Sequence, residues 1–299
     1  MKHAIIDIGS NSMRLTVYEV ENRNFRILFK GKYMAGLAGY VEKGCLSEEG
    51  IKRAYEGLLE FKNTLDSLDI RDNIHVFATA SLRNIINTDE AVLKITAAAG
   101  FDIDVIGGEE EALLGYTGAM FDMPAEEGAF IDIGGASTEI TVFEESSVIF
   151  SKSYRIGSLK LYKECVKKIL PGKGSVKRIM NEIRTEIPGM TLERLAPREK
   201  LICAGGTARS ILKFVQKLVP GDTESRIILP EQLEETGEIL LGDRRAAADI
   251  ILKVDPERIH TIIPGYLILK YTAEKLEAKE IIVSSYGVRE GYLCRKVLP

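Results

Sequence analysis

Apolar residues along the chain fall into short runs whose spacing switches between a period of two and a period near 3.6. Runs at 4–8, 14–20 and 25–31 predict three strands of an opening meander, with Asn22-Arg23-Asn24 as a turn. A Gly-rich loop is predicted over 37–44. Ser47-Glu48-Glu49 then reads as a helix start, and Ile51, Tyr55, Leu58, Leu59 and Leu65 repeat on one helical face. A strand at 73–80, a helix from Asn87-Thr88-Asp89-Glu90 to Ala99, a strand at 101–106 and a helix from Glu109 to Met120 follow. This alternation predicts α/β layering around a mixed sheet.

The stretch 121–128 carries Pro124 and acidic residues and marks a domain boundary, giving domains 1–122 and 123–299. An apolar run from Ala129 that ends in Asp132, a Gly-Gly turn, and apolar residues resuming with Ile140, Val142 and Phe143 read as strand, tight turn, strand, and a third strand is predicted at 148–154. A helix from Leu159 is broken at Pro171-Gly172-Lys173-Gly174, and another runs to Ile187. A strand at 201–204 leads through Gly205-Gly206-Thr207 into a helix with Ile211, Leu212 and Val215 inward. The stretch 222–236 is mixed. Helices at 231–241, 244–252 and 264–276, a strand at 280–283 and a helix at 287–296 complete the pattern.

Two places share one arrangement. Ile6-Asp7-Ile8-Gly9-Ser10-Asn11-Ser12 and Ile131-Asp132-Ile133-Gly134-Gly135-Ala136-Ser137-Thr138-Glu139 both run from an apolar strand through Asp into a tight polar turn and back to apolar residues. The copies suggest an internal duplication. Glycine leaves room for backbone N–H groups to approach a phosphate, and an Asp at a strand end could hold Mg²⁺. Two unrelated hairpins are the alternative. Gly206 lies in a third such turn, at a helix N-terminus where an anion is favoured. Arg14 and Arg83 stand beside turns, and a guanidinium matches two phosphate oxygens at once.

Composition narrows the classes. The 299 residues are 45% hydrophobic and 28% charged, and the net charge of −4 argues against general nucleic-acid binding. Cys45, Cys165, Cys203 and Cys294 form no CxxC pair, so free thiols in a reducing compartment are expected. The first strand follows Met1 closely and no apolar run approaches a membrane span, so a cytoplasmic protein with no membrane partner is expected. His3, His75 and His260 lack ligand spacing and read as structural. No GxSxG elbow or Walker lysine motif is present. Of Glu109-Glu110-Glu111, acids in a first helical turn suit the helix dipole, while one of them could deprotonate a water.

The set Asp7–Ser12, Thr79-Ala80-Ser81-Leu82-Arg83-Asn84, Gly108-Glu109-Glu110-Glu111-Ala112, Asp132–Glu139, Gly205-Gly206-Thr207 and Gly287-Val288-Arg289-Glu290-Gly291 resembles, in order and over essentially the whole chain, the exopolyphosphatase/guanosine pentaphosphate phosphatase family. The resemblance implies two actin-like, ribonuclease H-like domains with mixed sheets flanked by helices and the active site in the interdomain cleft. It implies Mg²⁺-dependent release of terminal phosphate from inorganic polyphosphate, with pppGpp hydrolysis to ppGpp as the alternative and a non-catalytic binder of alarmone or polyphosphate as another. An actin-like ATPase or sugar kinase is a further class on the same fold.

The resemblance assigns the general base to Glu111 and the metal and water-positioning acids to Asp132 and Glu139. Phosphate contacts fall on Ser10, Asn11, Arg14, Arg83, Gly134, Gly135, Ser137 and Thr138. Carboxylates flanking Glu111 are expected to raise its pKa. The chain departs from the family pattern at Ala136, Leu113 and Ser285. It reads as a short two-domain form, and a homodimer is compatible with it.

Overall fold

The computed structural model describes residues 1–22 and 24–298. Arg23, within the turn expected at 22–24, lies outside the described residues, and Asn22 beside it has φ of 49°. The chain forms two compact units, Met1–Glu111 with the residues from Tyr292 onward, and Ala112–Gly291. The division falls inside one continuous helix, whereas the sequence pattern places the change at 122/123.

The first unit contains β1 (Lys2–Ile8), β2 (Met13–Glu21), β3 (Asn24–Tyr33), β4 (Val41–Glu42), β5 (Cys45–Leu46), β6 (Ile74–Ala78) and β7 (Ile103–Val105). The sheet order is β3-β2-β1-β6-β7. β1 pairs antiparallel with β2 and parallel with β6, and β6 pairs parallel with β7. The sheet is mixed because two short hairpins precede the crossovers through α1 (Glu48–Ser67), α2 (Ala80–Arg83) and α3 (Thr88–Ala99). The predicted loop at 37–44 instead holds a 3₁₀ turn, Leu37–Tyr40, and part of the β4–β5 ribbon.

Ser47 caps α1, its hydroxyl accepting from the Gly50 N–H at 3.3 Å. Ile51, Ala54, Leu58, Phe61 and Leu65 form the buried stripe of α1. Leu59, expected inward, is exposed: it follows Leu58 by about 100° of helix rotation and so leaves that stripe.

At the start of the β1–β6 pair, His3 and His75 stack with ring centroids 5.8 Å apart. Burial lowers both imidazole pKa values, and for His75 the neighbouring His3 adds to the effect. The unfolded chain therefore binds protons more readily, so this contribution is intact above the ordinary value of 6.5 and declines as pH falls toward the lowered folded values. The urea midpoint is expected to drop between about pH 7.5 and pH 5.5, and His75→Phe should flatten that slope. An unchanged slope would remove the pair as its cause.

The second unit opens in α4 (Gly108–Asp122), which continues across the division. It contains β8 (Gly128–Ile133), β9 (Thr138–Glu144), β10 (Ser147–Tyr154), β11 (Lys200–Ala204), β12 (Ile227–Ile228) and β13 (Glu280–Val283). Their order is β10-β9-β8-β11-β13-β12. The first five places repeat the first sheet: a three-stranded antiparallel meander, then two parallel strands. This common topology supports the duplication read from the two Asp-containing turns. β12, from the mixed stretch, adds an antiparallel edge.

Around the sheet lie α5 (Ser158–Cys165), α6 (Lys173–Glu186), α7 (Gly189–Glu193), α8 (Gly205–Leu218), α9 (Pro230–Leu241), α10 (Arg244–Val254) and α11 (Ile262–Lys275). In α8, Ile211, Phe214 and Val215 are buried, and Leu212 packs at the edge of that core. The last α-helix, α12 (Val288–Tyr292), gives way to a π-helical turn at Leu293–Val297. Gly118 and Gly291 let α4 and α12 touch: a Cβ on Gly291 would stand 1.8 Å from the Leu114 carbonyl oxygen. Among the described residues no helix is long and apolar enough to cross a membrane.

Candidate active site

In the first unit, the β1–β2 register pairs Asp7 with Arg14 and Ile8 with Met13, leaving Gly9-Ser10-Asn11-Ser12 as the turn. Directly opposed residues share a sheet face, so the acid and the guanidinium lie on one side of the hairpin. The Ala38 N–H donates to the Ser10 carbonyl at 3.0 Å, and the Gly36 N–H to the Asn11 carbonyl at 2.9 Å. A planar trans peptide sets N–H opposite C=O. The Asn11 and Ser12 N–H groups therefore point away from that supporting segment. Ser81 donates its hydroxyl to the Ile8 carbonyl and ties β1 to the start of α2.

The acidic run separates into three environments. Glu109 is exposed. Glu110 lies 2.6 Å from the Lys296 ammonium, which also reaches Asp104 at 2.9 Å. Glu111 is buried, 8% exposed, and its Oε2 accepts from Arg83 Nη1 at 2.7 Å. The same Nη1 donates to the Ile106 carbonyl at 3.0 Å. A guanidinium thus faces the Glu111 carboxylate. Arg83, expected on phosphate, is placed where it orients Glu111.

The second unit repeats the hairpin. Asp132 pairs with Glu139 and Ile133 with Thr138, leaving Gly134-Gly135-Ala136-Ser137 as the turn. Where Arg14 faces Asp7, Glu139 faces Asp132. The Ser158 N–H donates to the Gly134 carbonyl at 2.9 Å, and those of Leu159 and Lys160 to the Gly135 carbonyl at 3.0 and 2.9 Å. The start of α5 thus holds these carbonyls and leaves the Gly135 and Ala136 N–H groups turned away from it. Gly157 permits the approach, since a Cβ there would lie 2.5 Å from Ala136 N. Ala136 is not among the residues with positive φ, so its methyl brings no left-handed strain.

Glu139 is 2% exposed and its Oε1 accepts from Ser153 Oγ at 2.7 Å. Thr138 is turned inward: it is fully buried and donates its hydroxyl to the Ile156 carbonyl at 2.7 Å. That bond uses the hydroxyl expected on phosphate. Ser137 is also buried, and its carbonyl accepts from the Gly134 N–H at 2.9 Å. Gly205 has φ of 82°, and a Cβ on it would meet Asp132 Oδ1 at 2.2 Å. The Asp132 carboxylate is therefore seated against the N-terminal end of α8, where the helix dipole favours an anion. Thr207, next to Gly206, donates to the Ile133 carbonyl at 2.8 Å.

Two groups were given no site role by the residue pattern. Arg209, one turn into α8, has its pKa lowered by burial and then by Arg289, while Asp132 and Glu290 act the other way. Buried Glu290 accepts from the Gly287 N–H at 2.9 Å. Its place three residues after Gly287, at a helix start, was the available signal. The second group surrounds Asp122. Burial acts to raise its pKa, but donors from the Ser285 N–H, Arg226 and the Ser284 hydroxyl outweigh it and hold the group below the usual carboxylate range. These contacts are 2.7, 2.8 and 2.9 Å. Ser285 thus joins a carboxylate supplied by the end of α4. Cys203 is a buried thiol whose pKa is pushed well up by burial and then by Asp132.

A family model described as the Ppx/GppA phosphatase family matches residues 16–299. The chain belongs to that family of phosphatases, and its two mixed sheets are the actin-like fold of its members. It is 25% identical to a Haemophilus influenzae protein provisionally named an exopolyphosphatase, over 97% of this chain and 90% of that protein. It is 27% identical to an Aeromonas hydrophila guanosine-5′-triphosphate,3′-diphosphate pyrophosphatase, over 97% of this chain but 58% of the relative's length. The crystal structure of the Aquifex aeolicus Ppx/GppA family member superposes with a TM-score of 0.80 at 25% identity, covering 100% of this chain and 98% of that one.

Proposed function

We propose that the chain releases terminal orthophosphate from inorganic polyphosphate, with Glu111 as general base. The observation that carries this reading is the buried Glu111 held by Arg83 at 2.7 Å in the first turn of α4. Glu111 takes a proton from a water whose oxygen forms a new bond to the terminal phosphorus. The anhydride P–O bond breaks, and the shortened chain leaves with the electron pair. N–H groups of the two turns, with Ser10, Asn11, Arg14, Gly134, Gly135, Ser137 and Gly206, supply donors to the phosphate oxygens.

Asp132 and Glu139 are opposed hard-oxygen donors. Among the described residues no cluster of three or more metal-ligating side chains is present. Mg²⁺ characteristically binds through one or two carboxylates completed by substrate oxygens and water, and the pair fits that mode. The ion, when bound, neutralises charge on the phosphate oxygens.

The name of the Aeromonas relative supports a second reading, removal of the 5′-terminal phosphate of pppGpp. Phosphate release from polyphosphates of defined length, pppGpp and ATP, with and without added Mg²⁺, separates the readings. Mg²⁺-dependent release from polyphosphate is expected. Preference for pppGpp would install the second reading. Tight binding with no release from any substrate would replace both with a non-catalytic sensor.

A further inference from the structure

The first turn of α4 begins at a junction with little packing of its own. Only Ile106 and Gly107 separate β7 from α4. A Cβ on Gly107 would meet nothing within 4 Å, and glycine leaves the backbone torsions there wide. Ile106 is fixed to the sheet, its N–H donating to the Ala78 carbonyl at 3.0 Å. The direction in which α4 leaves β7 is therefore set by side-chain contacts to its first turn.

Two of those contacts come from cations. Arg83 reaches Glu111 at 2.7 Å. On the preceding residue, Glu110 Oε1 lies 2.6 Å from Lys296 Nζ. Successive helical side chains point about 100° apart, so the turn is gripped on two sides. Lys296 Nζ also donates to Asp104 Oδ2 at 2.9 Å, and so spans the junction from the middle of β7 to α4. All these residues belong to the first compact unit.

Lys296 is itself anchored. Tyr292, earlier on the same helical stretch and 7% exposed, donates its hydroxyl to the same Asp104 oxygen at 3.1 Å. Its ring stacks on Phe77 of β6 with centroids 4.8 Å apart, and Lys296 Nζ lies 5.5 Å from the Tyr292 centroid. Phe77 and Asp104 are directly paired in the β6–β7 register. Burial acts to lower the Lys296 pKa, but the bonds to Glu110 and Asp104 outweigh it and raise it above the ordinary lysine value, so the ammonium stays charged.

We propose that Lys296 is a positioning residue: it braces the β7–α4 junction and so holds the first turn of α4 in the orientation that presents Glu111 to the reacting water. This role rests on the reading of Glu111 as general base. With Lys296 removed, the hold on Glu110 is lost and the turn pivots more freely about Gly107. Proton abstraction depends steeply on where the accepting oxygen stands, whereas the phosphate contacts proposed on the two turns do not include the junction. The loss therefore falls on kcat.

The test is Lys296→Met, which keeps the unbranched stem and removes the charge, with Lys296→Arg as the conservative variant. For polyphosphate with Mg²⁺, kcat is expected to fall roughly tenfold in Lys296→Met at unchanged KM, and to recover in Lys296→Arg. The ion-paired side chains are between 34% and 41% exposed, so the urea midpoint should move little. In a Glu111→Gln background the same substitution should slow the residual rate no further, because its effect passes through Glu111. Unchanged kcat, a fall that only follows lost folded protein, or an equal loss added to that of Glu111→Gln would overturn the assignment. Hydrogen exchange without substrate separates this role from the reaction. The Glu111 N–H, bonded to the Gly107 carbonyl at 2.9 Å, should exchange several-fold faster in Lys296→Met. If the wild type releases no phosphate, faster exchange in the variant keeps the brace while the reaction fails. Equal exchange in the two proteins removes the brace whatever the turnover.

Discussion

Glu111→Gln is expected to cut phosphate release by about a hundred- to ten-thousand-fold, the usual contribution of a positioned general base. The substitution keeps the shape of the side chain and an amide oxygen that can accept from Arg83 Nη1. It removes the negative charge and the capacity to take a proton from water. Arg83 also keeps its bond to the Ile106 carbonyl, so the segment that leads into α4 stays tied. A fold intact by circular dichroism, with binding of a non-hydrolysed phosphate chain retained, would locate the loss in the chemical step. Release at the wild-type rate would refute the assignment of Glu111 as base.

The second large effect belongs to Gly205→Ala. A left-handed backbone costs a non-glycine residue about 1–2 kcal/mol. A new Cβ would also stand 2.2 Å from Asp132 Oδ1, so either the carboxylate or the start of α8 must move. The total loss should reach about 3 kcal/mol, read as a lowered urea midpoint at unchanged m-value. Phosphate release should fall further than the loss of folded protein accounts for, because Asp132 is displaced. Gly36→Ala is the control. Gly36 has φ of 63° with nothing within 4 Å of its Cβ position, so it isolates the backbone cost. Equal effects at the two positions would show that the contact with Asp132 contributes nothing.

Both sheets were legible because their strands are bounded by Gly and polar turns, and because Asp7 and Asp132 mark equivalent places in a duplicated topology. The buried face of α1 was legible apart from Leu59, which the apolar count admitted and the helical angle rejects. The division at Glu111/Ala112 was hidden because α4 runs through it without a break in composition. β12, two residues long, is too short to show a period.

At the candidate site, sequence spacing located the turns and Glu111 but not what each side chain touches. Arg83 and Glu111 are 28 positions apart, and Arg226 and Asp122 are 104 apart. No local pattern encodes such pairs. Thr138 is the converse case: the resemblance placed it on phosphate, while the first residue of β9 is buried and its hydroxyl bonds the Ile156 carbonyl.

The bonds that hold the turn carbonyls have a consequence for the sign of the ligand. A peptide plane can rotate by half a turn and exchange an outward N–H for an outward C=O, converting a donor cradle into an acceptor. At Ser10–Asn11 that rotation would break the bonds from Ala38 and Gly36, and at Gly134–Gly135 those from Ser158, Leu159 and Lys160. The flipped state is thereby disfavoured in both turns. Each main chain is committed to one polarity, so cation recognition is left to the carboxylates.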